Sequence, residues 1–285
     1  MFFRWWTFPL ALLAATALAG VLVIVFAAVI VYPALPTLDV LTDYQPKVPL
    51  RVYSVEGKLI GEFGEERRAV VKIEAVPKPM RDAILAAEDE RFYQHGGVDY
   101  FGVLRAAMSN FVSGGVRQGA STITMQVARN FFLSKEKTLT RKFNEMLLAF
   151  KIEHNLSKDQ ILELYINQIF LGQRAYGFAA ASQIYFGKTL DQLSLAETAM
   201  LAGLPKAPSR FNPVINPQRA KLRQQYVLRR MRELDFISDP QWQLADQQPL
   251  VVKKEVNDFA VKADHLAEMV RQVLYERFRD DAYTR

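Results

Sequence analysis

The stretch Glu88-Asp89-Glu90-Arg91-Phe92-Tyr93-Gln94-His95-Gly96-Gly97 concentrates groups able to move a proton. Glu88 stands four residues after Ile84 and four before Phe92, on the apolar stripe of its own helix. A carboxyl group placed there loses water, and desolvation raises its pKa toward the range useful for proton transfer. On composition alone, an acid cluster on a solvated helix end is the alternative. A second stretch, Gly114-Gly115-Val116-Arg117-Gln118-Gly119-Ala120-Ser121-Thr122, nearly matches a phosphate-binding loop, but that pattern requires Lys where Ala120 stands. The missing lysine argues against an NTPase. A glycine-rich loop feeding a helix that begins at Ser121 still offers free N–H groups and a positive dipole end to an anion, with Arg117 and Arg129 adding charge. A plain helix linker is the competing reading. In Arg141-Lys142-Phe143-Asn144-Glu145, both basic residues lie within one helical turn of Glu145. The basic residue comes first, the weaker orientation for helix stabilisation, so the cluster reads either as a surface pair or as a diphosphate grip beside a second acid. Ser134-Lys135-Glu136-Lys137 fits the S-x-x-K pattern of penicillin-reacting enzymes, but S-D-N is absent and Lys188-Thr189 is followed by Leu190 rather than Gly. It is rejected as a site.

Composition narrows the chemistry further. The chain has 285 residues, 50% hydrophobic and 23% charged, with no cysteine, three histidines and a net charge of +6. Without cysteine there are no disulfides, thiol nucleophiles, iron–sulfur clusters or thiolate zinc sites. His95, His154 and His265 lie far apart and form no H-E-x-x-H pair, which argues against a histidine-based metal site. The excess of Lys and Arg suits an anionic partner.

The elements that must position these groups begin with an anchor. Residues 8–32 are uncharged and almost wholly apolar, long enough to cross a bilayer, and too long for a cleaved signal peptide despite small residues at 15–19. Arg4 precedes the span, while Asp39 and Asp43 are the first charges after it. The positive-inside tendency therefore leaves residues 1–7 in the cytoplasm and the rest outside. Residues 33–75 read as a spacer and small β element, with a hairpin around Val55-Glu56-Gly57 and a further strand from Ala69 to Ile73. From Pro79 onward the spacing predicts helices. Asp99 caps one whose apolar face carries Val103, Leu104, Ala107, Met108, Phe111 and Val112, and Ser121 caps the next. Another runs from Thr138 to Asn155. Capping boxes at Ser157-Lys158-Asp159-Gln160 and Ser194-Leu195-Ala196-Glu197 open two more, Gly203 closing the second. A basic helix follows Asn216-Pro217 as far as Arg232, and Asp264 to Phe278 forms a last amphipathic one. The fold class is mainly α, with a small β element near the membrane and an N-terminal transmembrane helix.

Together these segments resemble the glycosyltransferase family 51 domain, the peptidoglycan polymerase of class A penicillin-binding proteins. Glu88 to Gly97 is similar to the family's E-D-x-x-F-x-x-H-x-G motif, Arg117 to Gln126 to R-x-G-x-S-T-I-T-x-Q, Arg141 to Glu145 to R-K-x-x-E, and Ile161 to Asn167 to I-L-E-x-Y-L-N. Ala175-Tyr176-Gly177, Tyr185-Phe186-Gly187-Lys188 and Leu201 to Pro208 also fit, in order. One departure is Ala120, where the family usually has Gly. The resemblance implies a lysozyme-like helical domain over 76–235 and, over 236–285, the start of a linker toward a transpeptidase that this sequence does not contain. These residues alone are expected not to form a penicillin adduct.

The resemblance further implies that the substrate is lipid II, polymerised into β-1,4-linked glycan with release of polyprenyl diphosphate at the outer face of a bacterial inner membrane. Glu88 and Glu145 would be the catalytic acids. Asp89, Arg117, Ser121, Thr122, Gln126, Arg129, Arg141, Lys142, Glu163 and Asn167 would bind substrate or support the site, with core packing an equal alternative for Tyr165. No cofactor is certain; a divalent cation such as Mg is conceivable, and its ligands are unknown. Partners would be lipid II, the growing glycan, the membrane, and further copies or other cell-wall synthesis proteins. Two rivals remain: a lytic enzyme on a similar fold, which needs no diphosphate-binding cations, and a non-enzymatic membrane scaffold. Nucleic acid is disfavoured, because the basic helix 217–232 lies outside the cytoplasm.

Overall fold

The computed structural model describes residues 7–42, 49–64, 66–113, 121–133, 138–253 and 264–279. The chain is mainly helical. Helix α1, Thr7–Val31, is apolar on every side, and the window Ala11–Ala34 has the length and hydropathy to cross a membrane. Just beyond it, Leu35 and Leu41 are buried in the main core, and Lys151 Nζ donates to the Pro36 carbonyl at 2.9 Å. The anchor is thus tied to the helical body. Between them lies the short helix α2, Asp39–Thr42.

Strands β1 (Leu50–Tyr53) and β2 (Leu59–Phe63) form the expected antiparallel hairpin, with Gly57 taking the left-handed turn position at φ +77°. The expected strand at 69–73 does not form. Strand β3 is instead Arg67–Arg68, paired in parallel with β4, Ala175–Tyr176. The reason is local: the Val71 amide donates to Asn167 Oδ1 and the Ile73 amide to Glu163 Oε2, so side chains take the bonds a neighbouring strand would need.

Helix α3, Lys78–Glu88, starts with Pro79 in its first turn and buries Met80, Ala83 and Ile84. It ends at Glu88. Phe92, fully buried, lies in a separate short 3-10 turn, so the apolar stripe read around Glu88 continues in space across a break. Helix α4, Tyr100–Ser113, forms as expected, but its apolar face is not packed in the core: Phe101, Leu104, Met108 and Phe111 are exposed, while Gly102 and Ala106 face inward. Helix α5, Ile123–Phe132, is capped by Thr122 rather than Ser121. The Thr122 hydroxyl accepts from the Met125 amide and donates to the Gly97 carbonyl, whereas Ser121 Oγ is engaged by Lys142.

Helices α6 (Leu139–Asn155), α7 (Lys158–Gln168), α8 (Phe178–Phe186), α9 (Leu195–Gly203), α10 (Pro217–Glu233), α11 (Asp239–Gln247) and α12 (Asp264–Phe278) complete the order. Both predicted capping boxes are present, at Ser157/Gln160 and Ser194/Glu197. Helix α9 is the axle of the body: Ala196 through Gly203 are all buried, and α3 and α10 pack on it. Its small residues Ala196, Ala199, Ala202 and Gly203 let these neighbours approach. Helix α5 packs against α6 and α7. The packed helices run past residue 235, since α11 contacts α9 and α10 and contributes Ala245 to the core. Helix α12 lies on the β1–β2 hairpin, where a Cβ on Gly61 would stand 2.5 Å from Ala267 Cβ.

Candidate active site

The C-terminal end of α3, the N-terminal end of α5 and one side of α10 converge on a cleft of about 690 Å³. Glu88 lines it as the last residue of α3. Its side chain is 12% exposed. Gln126 Nε2, one turn into α5, donates to Glu88 Oε2 at 2.8 Å, and Arg223 Nη2 of α10 stands 3.9 Å from Oε1. Burial pushes the Glu88 carboxyl above its ordinary range, against the pull of the Gln126 hydrogen bond and the charges of Arg223, Lys206 and Arg129. A carboxylate so placed is more basic than an exposed one, and the Gln126 hydrogen bond fixes one of its oxygens.

Asp89 works differently. Its Oδ2 accepts from the Ile123 amide at 3.0 Å, and His95 Nε2 lies 3.0 Å from Oδ1. It therefore locks the start of α5 against the end of α3, fixing Gln126 opposite Glu88. Thr122 is nearly fully buried and spends its hydroxyl on the cap and on Gly97. Ser121, Thr122, Gln126 and Arg129 all line the cleft, as Asp89 does.

Glu145 is 1% exposed and paired with Arg141 and with Lys142, whose Nζ is 3.0 Å away. Lys142 Nζ also donates to Ser121 Oγ at 2.7 Å. A chain of contacts, Glu145–Lys142–Ser121, thus reaches the cleft edge, although Arg141, Lys142 and Glu145 do not themselves line it among the described residues. Arg117 and the glycine-rich loop at 114–120 lie outside the described residues, as does Ser134 to Lys137.

Glu163 and Asn167 are placed elsewhere. Glu163 accepts from the Ile73 amide and from Lys72, and Asn167 accepts from the Val71 amide and donates to the Val71 and Glu163 carbonyls. Both hold the 71–73 segment on α7, and neither lines the cleft. Tyr165, 1% exposed, has a buried hydroxyl with no hydrogen-bond partner among the described residues. Its pKa is pushed well up by burial and by the neighbouring Glu88.

Sequence reasoning missed the α10 wall. Arg223, Tyr226, Arg229 and Arg230 of α10 line the cleft together with Lys206 from the segment after α9, and Glu90 bridges Arg105 of α4 to Arg230. Burial, then the adjacent Arg223, lowers the Lys206 pKa. The signal was present as the basic run of 217–232, but spacing on one helix does not say which fold surface it faces. As for metals, both Glu145 oxygens already face cations, and among the described residues no cluster of three His, Asp or Glu is placed to hold an ion.

A family model described as Transglycosylase matches residues 56–232. Penicillin-binding protein 1A of Neisseria cinerea is 58% identical over 265 residues, covering 93% of this chain and 33% of that protein. Penicillin-binding protein 1A of Pseudomonas aeruginosa is 46% identical over 284 residues, 99% of this chain and 34% of that protein. Among solved structures, penicillin-binding protein 1A from Haemophilus influenzae superposes with a TM-score of 0.50 at 34% identity, covering 84% of this chain and 26% of that one. The chain spans about a third of the length of the curated relatives it matches.

Proposed function

The chain belongs to the transglycosylase family, and from that premise we propose that it is a peptidoglycan glycosyltransferase that polymerises lipid II in bacterial cell wall synthesis. The observation that carries this reading is Glu88: a poorly hydrated carboxylate in a cleft, oriented by Gln126 and surrounded by Arg129, Lys206 and Arg223. A base alone would serve many reactions. A base ringed by cations suits one whose leaving group is an anion.

In the proposed reaction the acceptor is the 4-hydroxyl of one lipid II and the donor is the growing glycan, whose C1 bears a polyprenyl diphosphate. An alcohol is a weak nucleophile at neutral pH, so Glu88 takes the hydroxyl proton as the oxygen attacks C1. The new C1–O4 bond forms on one face while the C1–O bond to diphosphate breaks on the other. The configuration inverts, a β-1,4 link results, and the diphosphate leaves with the bonding electrons. Arg129, and Lys142 through its place beside Ser121, lie where they can meet that charge. Glu145, paired with Arg141 and Lys142, holds these cations in place. Asp89 and Thr122 set the register between the base and α5, whereas Glu163 and Asn167 hold the 71–73 segment away from the cleft. The mechanism takes no step through a metal ion.

The anchor places this chemistry at a membrane. Helix α1 fits an inner-membrane anchor. We take its N-terminus to be cytoplasmic, since Arg4 precedes it and Asp39 follows it. The outward apolar face of α4, with Phe101, Leu104, Met108 and Phe111, then rests against the outer leaflet, where a polyprenyl substrate arrives. The test is incubation of the chain with labelled lipid II in detergent. Polymer is expected from the native protein and none from Glu88→Gln; polymer from Glu88→Gln at a near-native rate would remove Glu88 from the mechanism.

A further inference from the structure

Arg223 is held by several groups at once. It is 6% exposed, on the face of α10 that packs against α9. Its Nε donates to the Gly203 carbonyl at 3.1 Å, at the C-terminal end of α9. The guanidinium lies over the Tyr226 ring at 4.5 Å and within 5.9 Å of the Phe211 ring centre. Gly203 is part of the same arrangement, because a Cβ there would stand 2.8 Å from Arg223 Cγ. Backbone, two rings and a missing side chain therefore fix the direction of this arginine. That direction ends 3.9 Å from Glu88 Oε1.

Other groups around Glu88 do not share this fixity. Lys206, in the segment after α9, is exposed; Arg129 comes from α5; the Tyr165 hydroxyl of α7 has no hydrogen-bond partner among the described residues; Asp89 faces His95 and Ile123. Gln126 holds Oε2 but is neutral. We propose that Arg223 is the positioning residue of the site, orienting the second oxygen of Glu88 and supplying the nearest fixed positive charge for its ionised form. At 3.9 Å the contact is longer than a full hydrogen-bonded ion pair, which leaves Glu88 able to accept a proton during the reaction. A tighter pair would hold the carboxylate ionised and blunt it as a base.

This inference rests on Glu88 being the base proposed above. Its test is the pH dependence of lipid II polymerisation by the full chain carrying Arg223→Gln or Arg223→Lys. Gln keeps a donor for the Gly203 carbonyl and loses the charge; Lys keeps the charge and loses the fork. The acidic limb of the rate profile is expected to move up by about one pH unit in Arg223→Gln and to stay near its native position in Arg223→Lys. A purely structural role would lower the rate at every pH and leave the limb where it was. Tyr226→Leu, which loosens the guanidinium without removing it, is expected to move the limb in the same direction by less. An unmoved limb in folded Arg223→Gln, or in Tyr226→Leu should Arg223→Gln not fold, would overturn the proposal. Failure of the Glu88 reading is separately visible, as polymerisation by Glu88→Gln.

Discussion

A carboxyl group that gives up water without gaining a close ion pair costs the folded state energy, and Glu88 is such a group. Burial raises its pKa above the ordinary 4.5. A raised folded-state value means that its contribution to stability is fully present below 4.5 and is lost as pH rises through the folded pKa. At pH 7 the neutral variant Glu88→Gln escapes that cost, so it is predicted to melt no lower than the native chain, and higher by about 2–3 °C for each kcal/mol relieved. Melting well below the native protein would mean that Glu88 is structural. Arg141 is the opposite case. Glu145 is 1% exposed, and among the described residues removing Arg141 leaves it paired with Lys142. Arg141→Ala is therefore predicted to cost about 3 kcal/mol and to raise the lipid II concentration needed for half-maximal rate. Unchanged kinetics would refute a diphosphate role for this pair. The burial of Glu88 was legible from its spacing after Ile84, although Phe92 proved to lie beyond the end of the helix. Arg223 was not, since its importance depends on Gly203, Phe211 and Tyr226 meeting it in space.

At the scale of elements, caps and helices were the most readable features. Gly203 closes α9 where expected, and both predicted capping boxes form, because each depends on residues a few positions apart. Failures came where a distant element competed for a local group. Ser121 lost the cap to Thr122 because Lys142, one helix on, takes its hydroxyl. The expected strand at 69–73 lost its amides to Asn167 and Glu163, nearly a hundred residues away in sequence. Asn167 is 4% exposed and bonds both polar groups of Val71 as well as the Glu163 carbonyl. Asn167→Ala is predicted to destabilise the chain by about 3 kcal/mol, measured by denaturant unfolding. A cost below about 1 kcal/mol would show that the 71–73 segment is held by other means.

For the molecule as a whole, periodicity identified α4 as an amphipathic helix but carried no information on what its apolar face meets. Core and lipid ask for the same residues. The exposed row Phe101, Leu104, Met108 and Phe111, on a chain that also carries the span Ala11–Ala34, assigns that face to the bilayer in our account. The double variant Leu104→Ser, Phe111→Ser is predicted to polymerise lipid II several-fold more slowly in lipid vesicles while losing little in detergent. Equal losses in both media would return α4 to a purely structural role. The cleft itself is a whole-molecule product: α3 and α10 pack on each other and on the small residues of α9, while Asp89 ties the start of α5 to the end of α3.

The most direct test of that assembly is the pH dependence of polymerisation at limiting lipid II by the native chain. If a buried Glu88 is the base, the rate falls on the acid side with a midpoint clearly above 4.5, the ordinary value for a glutamate, and that limb moves with substitution of Glu88's neighbours. A limb centred at or below 4.5, or a rate that does not fall with acid, would contradict the account.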